Sequence, residues 1–221
     1  FTFTLAQPFE VADLPFYMLL AVVTGLVSVW FIRGSVEIEA FMARFSPVRK
    51  VIIAGFSLAG LIFIYPSLFG EVYTVLKEVI LGHEGNIGRL TFFGELRENH
   101  WFYPLIILGL ILMKVVAMAL TQASGGIAGT FAPSIFIGGI AGYFFTTVLN
   151  QFFGFSLSQS NFALVGMAGV MAGVMHAPLT AMFLIAEITG GYLLLTPLII
   201  VSALSYLTCH LFESPPTYNR Q

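Results

Sequence analysis

The chain has 221 residues, of which 58% are hydrophobic and 9% charged, with a net charge of −2. That balance and a mean hydropathy of +0.94 exclude a water-soluble domain, in which about a quarter of the residues carry charge. No basic block offers a nucleic-acid surface, and the single cysteine, Cys209, cannot build a disulfide framework or a Cys-based metal site.

In chain order, Phe16–Ile32, Val48–Ile64 and Phe102–Leu120 are apolar runs near the ~20 residues that a spanning helix needs, and they predict ordinary transmembrane helices. Between the first two and at the start of the second stand Arg33, Arg44, Arg49 and Lys50. The positive-inside bias therefore puts that connection in the cytoplasm, with Phe1 on the opposite side. Val72–Leu81 is a shorter apolar piece. Gly82–Trp101 carries His83, Glu84, Arg89, Glu95, Arg97, Glu98 and His100, a mixed-charge pattern that suits a solvated loop. The chain starts at Phe1 with neither an initiator methionine nor a signal-peptide pattern, so it is read as part of a longer polypeptide.

The distal half has a different texture. Phe131–Phe152, Phe162–Val174, Leu179–Ile188 and Tyr192–Phe212 are apolar pieces of unequal length, cut by His176-Ala177-Pro178, by Gly190-Gly191 and by Pro197. Short, Gly/Pro-interrupted apolar segments point to broken helices whose ends meet a substrate near the midplane of the bilayer. Glycines recur at four-residue spacing in Gly125/Gly129, Gly138/Gly142 and Gly169/Gly173, which predicts close helix approach at all three pairs.

The most telling stretch is Ser124-Gly-Gly-Ile-Ala-Gly-Thr-Phe-Ala-Pro133, a glycine-rich break between two apolar runs. Pro133 suits a first helical turn, where its missing donor is harmless. The amides around Gly129, Thr130, Phe131 and Ala132 are then left open at the positive end of a helix, an arrangement that binds anions. Lipid offers no partner for such donors, so they must face protein or a polar cavity. Tyr218 follows Ser214-Pro-Pro216; its phenol, with an ordinary pKa of ~10, is either a neutral donor to a bound anion or an interfacial aromatic.

Taken together, Ser124-Gly-x-x-x-Gly-x-Phe-Ala-Pro133, Gly166-Met-Ala-Gly, His176-Ala-Pro-Leu-Thr180 with Glu187-x-Thr189, and Pro216-x-Tyr218 resemble the second half of the CLC chloride channels and chloride/proton exchangers. The resemblance runs from about Phe16 to Gln221, and the blocks keep the family's order and spacing. It implies an all-α, multi-pass membrane protein, with residues 1–221 forming the second inverted repeat of one CLC-type domain built of tilted and broken helices. It also implies passive or proton-coupled chloride transport, and a homodimer with one anion path per subunit. The central chloride would be held by the amides of Thr130 and Phe131 and the hydroxyl of Tyr218. Ser124, Gly125, Gly129, Ala132 and Pro133 would form the supporting turn and helix start. The remaining ligands and the gating glutamate would come from the upstream half of the same polypeptide. Leu179–Ile188 and Tyr192–Phe212 would supply dimer contacts, with Leu184, Ile188, Leu195 and Ile199 as candidates. Ala128 departs from the pattern, since many family members carry glycine there.

Other residues have two readings. Lys114 and Glu187 are intramembrane charges, each costing ~2.5–3.5 kcal/mol at a helix centre. Lys114 either raises the potential of the anion path or pairs with a helix C-terminus or carboxylate. Glu187 either relays protons or makes structural hydrogen bonds. His176, at a helix break, is read as a satisfied interfacial side chain. An intramembrane serine protease built on Ser124-Gly125 and His176 is the competing function; it lacks the glycine two positions before the serine, where Gln122 stands. A fluoride-selective member of the same family is a second alternative. No metal or cofactor is expected, because His, Cys and acidic residues do not cluster at ligand spacing.

Overall fold

A computed structural model describes residues 10–68, 76–77, 102–188 and 192–213. Its helices with described bounds are α1 (Leu14–Met42), α2 (Pro47–Ile64), α3 (Phe102–Ala123), α4 (Phe131–Phe153), α5 (Gln159–Met175), α6 (Pro178–Ile188) and α7 (Leu195–Phe212). No strand occurs among the described residues. Most of Val72–Leu81, the Gly82–Trp101 segment, Thr189–Gly191 and Tyr218 lie outside them.

Five described helices are long and apolar enough to cross a bilayer, while α5 and α6 are shorter. At 1.5 Å per residue, α6 is about 17 Å long, well under the ~30 Å hydrocarbon core. The expected mixture of full and broken helices is therefore present. The clearest departure is α1, which runs ten residues past Ile32 to Met42. At the start of this extension Arg33 Nε donates to Glu213 Oε1 at 2.6 Å and its Nη2 to the Phe212 carbonyl at 3.3 Å, tying α1 to the end of α7, and further on Met42 packs with Leu120 of α3 and Ala54 of α2. The connection to α2 shrinks to residues 43–46, and Pro47 opens α2 at a position that needs no donor.

Glycines fix which helices lie together. A Cβ on Gly25 would strike Thr208, one on Gly169 would strike Thr24 and Val201, and one on Gly173 would strike Ser28 and approach Cys209. Numbers rise together along these seams, so α1, α5 and α7 run parallel. Ser28 Oγ donates to the Val170 carbonyl at 3.2 Å and Ser205 Oγ to the Gly169 carbonyl at 2.8 Å, hydrogen bonds that tie the trio together in lipid. Antiparallel to α5 lies α4, in backbone contact with it where Gly138 meets Gly166 and Gly142 meets Phe162 and Ala163. Tyr17 stacks on Phe162 with ring centroids 4.1 Å apart, closing the core between α1 and α5.

One expectation needs correction. Gly125 and Gly129 do not pack a helix: nothing lies within 4 Å of either Cβ position, because both belong to the turn between α3 and α4. Leu184 and Ile188 are partly buried against the core cluster. The exposed apolar side chains of α6 and α7 are Leu179, Phe183, Ile199, Leu207, Leu211 and Phe212. Helix α2 stands apart, with Ala54 its buried residue and Val51, Phe56 and Phe63 turned outward.

Candidate functional site

Helix α3 closes on a left-handed residue. Gly125 has φ +95°, a conformation that L side chains rarely adopt, and it donates its N–H to the Gln122 carbonyl at 3.0 Å. Gly126 reaches further back, to the Thr121 carbonyl at 3.0 Å, completing the paired bonds of a Schellman motif. Ser124 Oγ adds a third bond, donating to the Thr121 carbonyl at 2.8 Å. The last carbonyls of α3 are thus consumed locally, and the chain is free to turn back through 127–130.

Helix α4 begins at Phe131 with Thr130 as its N-cap. The first bond is Ser134 N–H to the Thr130 carbonyl at 3.1 Å, and Pro133 sits in the first turn with no donor to satisfy. Thr130 does not cap this end. Its hydroxyl approaches Met175 Sδ at 3.8 Å, and its backbone is already in the right-handed helical region. Among the described residues nothing accepts from the N–H groups of Thr130, Phe131 and Ala132. Phe131 is 40% exposed and Ile127 fully exposed, so the helix start faces outward from the described residues. Three donors without an acceptor among the described residues thus stand at the positive end of a 23-residue helix.

Ser124, Gly125, Gly129, Ala132 and Pro133 therefore lie in the turn and first helical turn as the motif predicts, together with Thr130 and Phe131. Tyr218 lies outside the described residues. Ala128 carries no strain, since His176 is the non-glycine residue with positive φ among those described, and its side chain packs against the α3/α4 core. Met175 is the neighbour that the sequence did not reveal. It comes from α5, 45 positions away from Thr130, and an apolar methionine beside a helix break carries no local signal.

His176 caps α5 in the left-handed region at φ 53°, and α6 begins two residues on at Pro178. Its ring meets Tyr206 edge-on at 5.6 Å and His210 at 5.9 Å. Ser124, bonded to Thr121, is not paired with His176, so the protease arrangement is not formed. Glu187 is exposed and makes no hydrogen bond among the described residues, so the structural bond expected for it is not found there. Lys114 is buried; its Nζ donates to the Leu68 carbonyl at 3.3 Å and sits 5.2 Å from the centre of the Phe136 ring. The helix-terminus partner is thus met by the end of the Pro66–Leu68 turn.

Comparison with known proteins joins these features. The family model described as "Voltage gated chloride channel" matches residues 1–210. The chain is 30% identical over 204 residues to chloride channel protein CLC-e of Arabidopsis thaliana, covering 85% of this chain and 27% of that protein. A slow cyanobacterial Cl−/H+ antiporter shares its fold with a TM-score of 0.71 at 19% identity, over 99% of this chain and 48% of the antiporter chain. A CLC-type fluoride/proton antiporter fits nearly as well, with a TM-score of 0.70 at 19% identity, over 94% of this chain and 47% of that one. At such identities the structural matches establish the fold and not the ion. The chain spans half or less of the length of each of these relatives. A family match across residues 1–210, on a bundle of full and broken apolar helices, makes this chain a multi-pass integral membrane protein of the voltage gated chloride channel family.

Proposed function

We propose that this chain carries one half of a chloride path, as the second inverted repeat of a CLC-type membrane domain. The observation that carries the reading is the open N-terminus of α4, whose Thr130 and Phe131 amides have no acceptor among the described residues. Chloride is the ligand, held by these amides and by the Tyr218 hydroxyl. Neutral donors bind the ion without a fixed cation at contact distance, so it is held loosely enough to leave, which throughput requires. The chain performs transport and no covalent chemistry. Its partners are the upstream half of the polypeptide and a second copy of the protein, which meets it through the outer faces of α6 and α7.

Bromide-soaked crystals of the full-length protein test the site by anomalous scattering. A peak within hydrogen-bonding reach of the Thr130 and Phe131 amides and of Tyr218 is expected. Density that avoids this place while the protein still moves chloride sinks the assignment. Tyr218→Phe is expected to weaken occupancy by about one hydrogen bond, ~0.5–1.5 kcal/mol, and to leave transport measurable. Fluoride efflux faster than chloride efflux from loaded liposomes would instead favour the fluoride-selective branch. For assembly, Ile199→Trp, on an exposed position of α7, is expected to give folded monomers on size-exclusion that still conduct. Dimers that persist unchanged would place the contact elsewhere.

A further inference from the structure

We propose that Lys114 is a positioning residue of the anion path: an ammonium held inside the fold that strengthens anion binding at the start of α4 without touching the ion. The inference rests on the site proposed at Thr130 and Phe131. Lys114 is 7% exposed on a helix that crosses the bilayer, where a charge is costly. Among the described residues its ammonium meets the Leu68 carbonyl and the face of Phe136, both electron-rich and both formally neutral. The ion pair found among the described residues joins Arg33 to Glu213, and no carboxylate there meets Lys114. Among the described residues its positive charge is therefore solvated in place by neutral groups.

The hairpin of α3 and α4 aims that charge at the site. Tyr103 and Tyr143 share a hydrogen bond of 2.8 Å at one end, Lys114 lies against Phe136 further along, and the glycine turn closes the other end. Phe136 stands five residues beyond Phe131, about 7.5 Å along the helix axis, which puts Nζ roughly 10–15 Å from the Phe131 amide. At that distance and an effective dielectric near 20, Coulomb's law gives roughly a tenfold gain in affinity for a monovalent anion. The charge is too far away to bind the ion directly. It adds to the helix dipole, which acts within the first turn, a longer-ranged field that solvent screens little because the group is buried.

Lys114→Gln in the full-length protein separates charge from packing, because the amide retains a donor for the Leu68 carbonyl. Calorimetric titration with chloride and with bromide is expected to show affinity roughly tenfold weaker for both halides, by the same factor, with unchanged elution and melting. Lys114→Arg is expected to stay within about twofold of wild type, and Lys114→Met to behave like Lys114→Gln if it folds. Unchanged halide affinity in Lys114→Gln would make Lys114 a structural clamp and overturn the proposal, as would equal losses in Lys114→Gln and Lys114→Arg. Bromide density at Thr130 and Phe131 alongside either result would show the site itself to be sound. Wild-type protein with no density there would remove the site, and this role with it.

Discussion

Thr130→Asp is expected to lower halide affinity by about two orders of magnitude while leaving α4 at least as stable as before. The N-cap position places a carboxylate about 5 Å from an anion on the Phe131 amide, and at an effective dielectric near 20 the repulsion is about 3 kcal/mol. Each ~1.4 kcal/mol is a factor of ten in affinity. The helix loses nothing, because Thr130 makes no side-chain cap and its hydroxyl is spent on a weak contact with Met175. A carboxylate next to the positive helix end contributes ~0.3–1 kcal/mol through the helix dipole. Thr130→Asn is the control, since it has the size of aspartate without its charge and should bind halide within a few-fold of wild type. Halide titration and thermal melting on the three proteins give the comparison. Equal halide binding in the Asp and wild-type proteins would show that the anion sits elsewhere.

Gly142→Leu is expected to yield no folded protein. A Cβ at Gly142 meets the carbonyl oxygen and carbon of Phe162, and lies 2.9 Å from Ala163 Cα, all of them backbone atoms of α5. A clashing side chain can rotate away; a helix backbone cannot. Overpacking a core costs typically ~1–3 kcal/mol even where neighbours can shift, and here α4 and α5 must part along their whole seam. The site would be lost with the seam, since Met175 of α5 is the neighbour of Thr130. Gly55→Leu provides the matched control, because nothing lies within 4 Å of a Cβ there. Fluorescence-detected size exclusion of detergent extracts should show aggregation for Gly142→Leu and a wild-type peak for Gly55→Leu. A Gly142→Leu protein that elutes and melts like wild type would mean that α4 and α5 do not touch through their backbones.

The boundaries of α2, α3, α4 and α6 agree with the apolar runs to within a few residues, and the start of α4 at Phe131 agrees to the residue. These features are local. Apolar length sets where a segment can enter lipid, and Pro47, Pro133 and Pro178 mark helix starts because a proline needs no hydrogen-bond acceptor there. The open amides at Thr130 and Phe131 were legible for the same reason: a helix start has unpaired donors whatever surrounds it.

What tertiary structure decided involves partners far apart in the chain. The end of α1 lies beyond the apolar run because the segment from Arg33 to Met42 is polar in isolation and finds its partners only in the fold: Arg33 donates to Glu213, 180 positions away, and Met42 packs with Ala54 and Leu120. The glycine pairs read alike in sequence, yet Gly138/Gly142 face a backbone and Gly125/Gly129 face open space. Likewise Lys114 offered two readings until Leu68 and Phe136 appeared beside it. Sequence by itself determined the solvent, most helix ends and the glycine turn with its open donors, because hydropathy and backbone donors act over a few residues. Which helices run parallel, which glycines carry a seam and where the buried charge points are set by close packing between segments tens to hundreds of residues apart, and no local pattern encodes that contact.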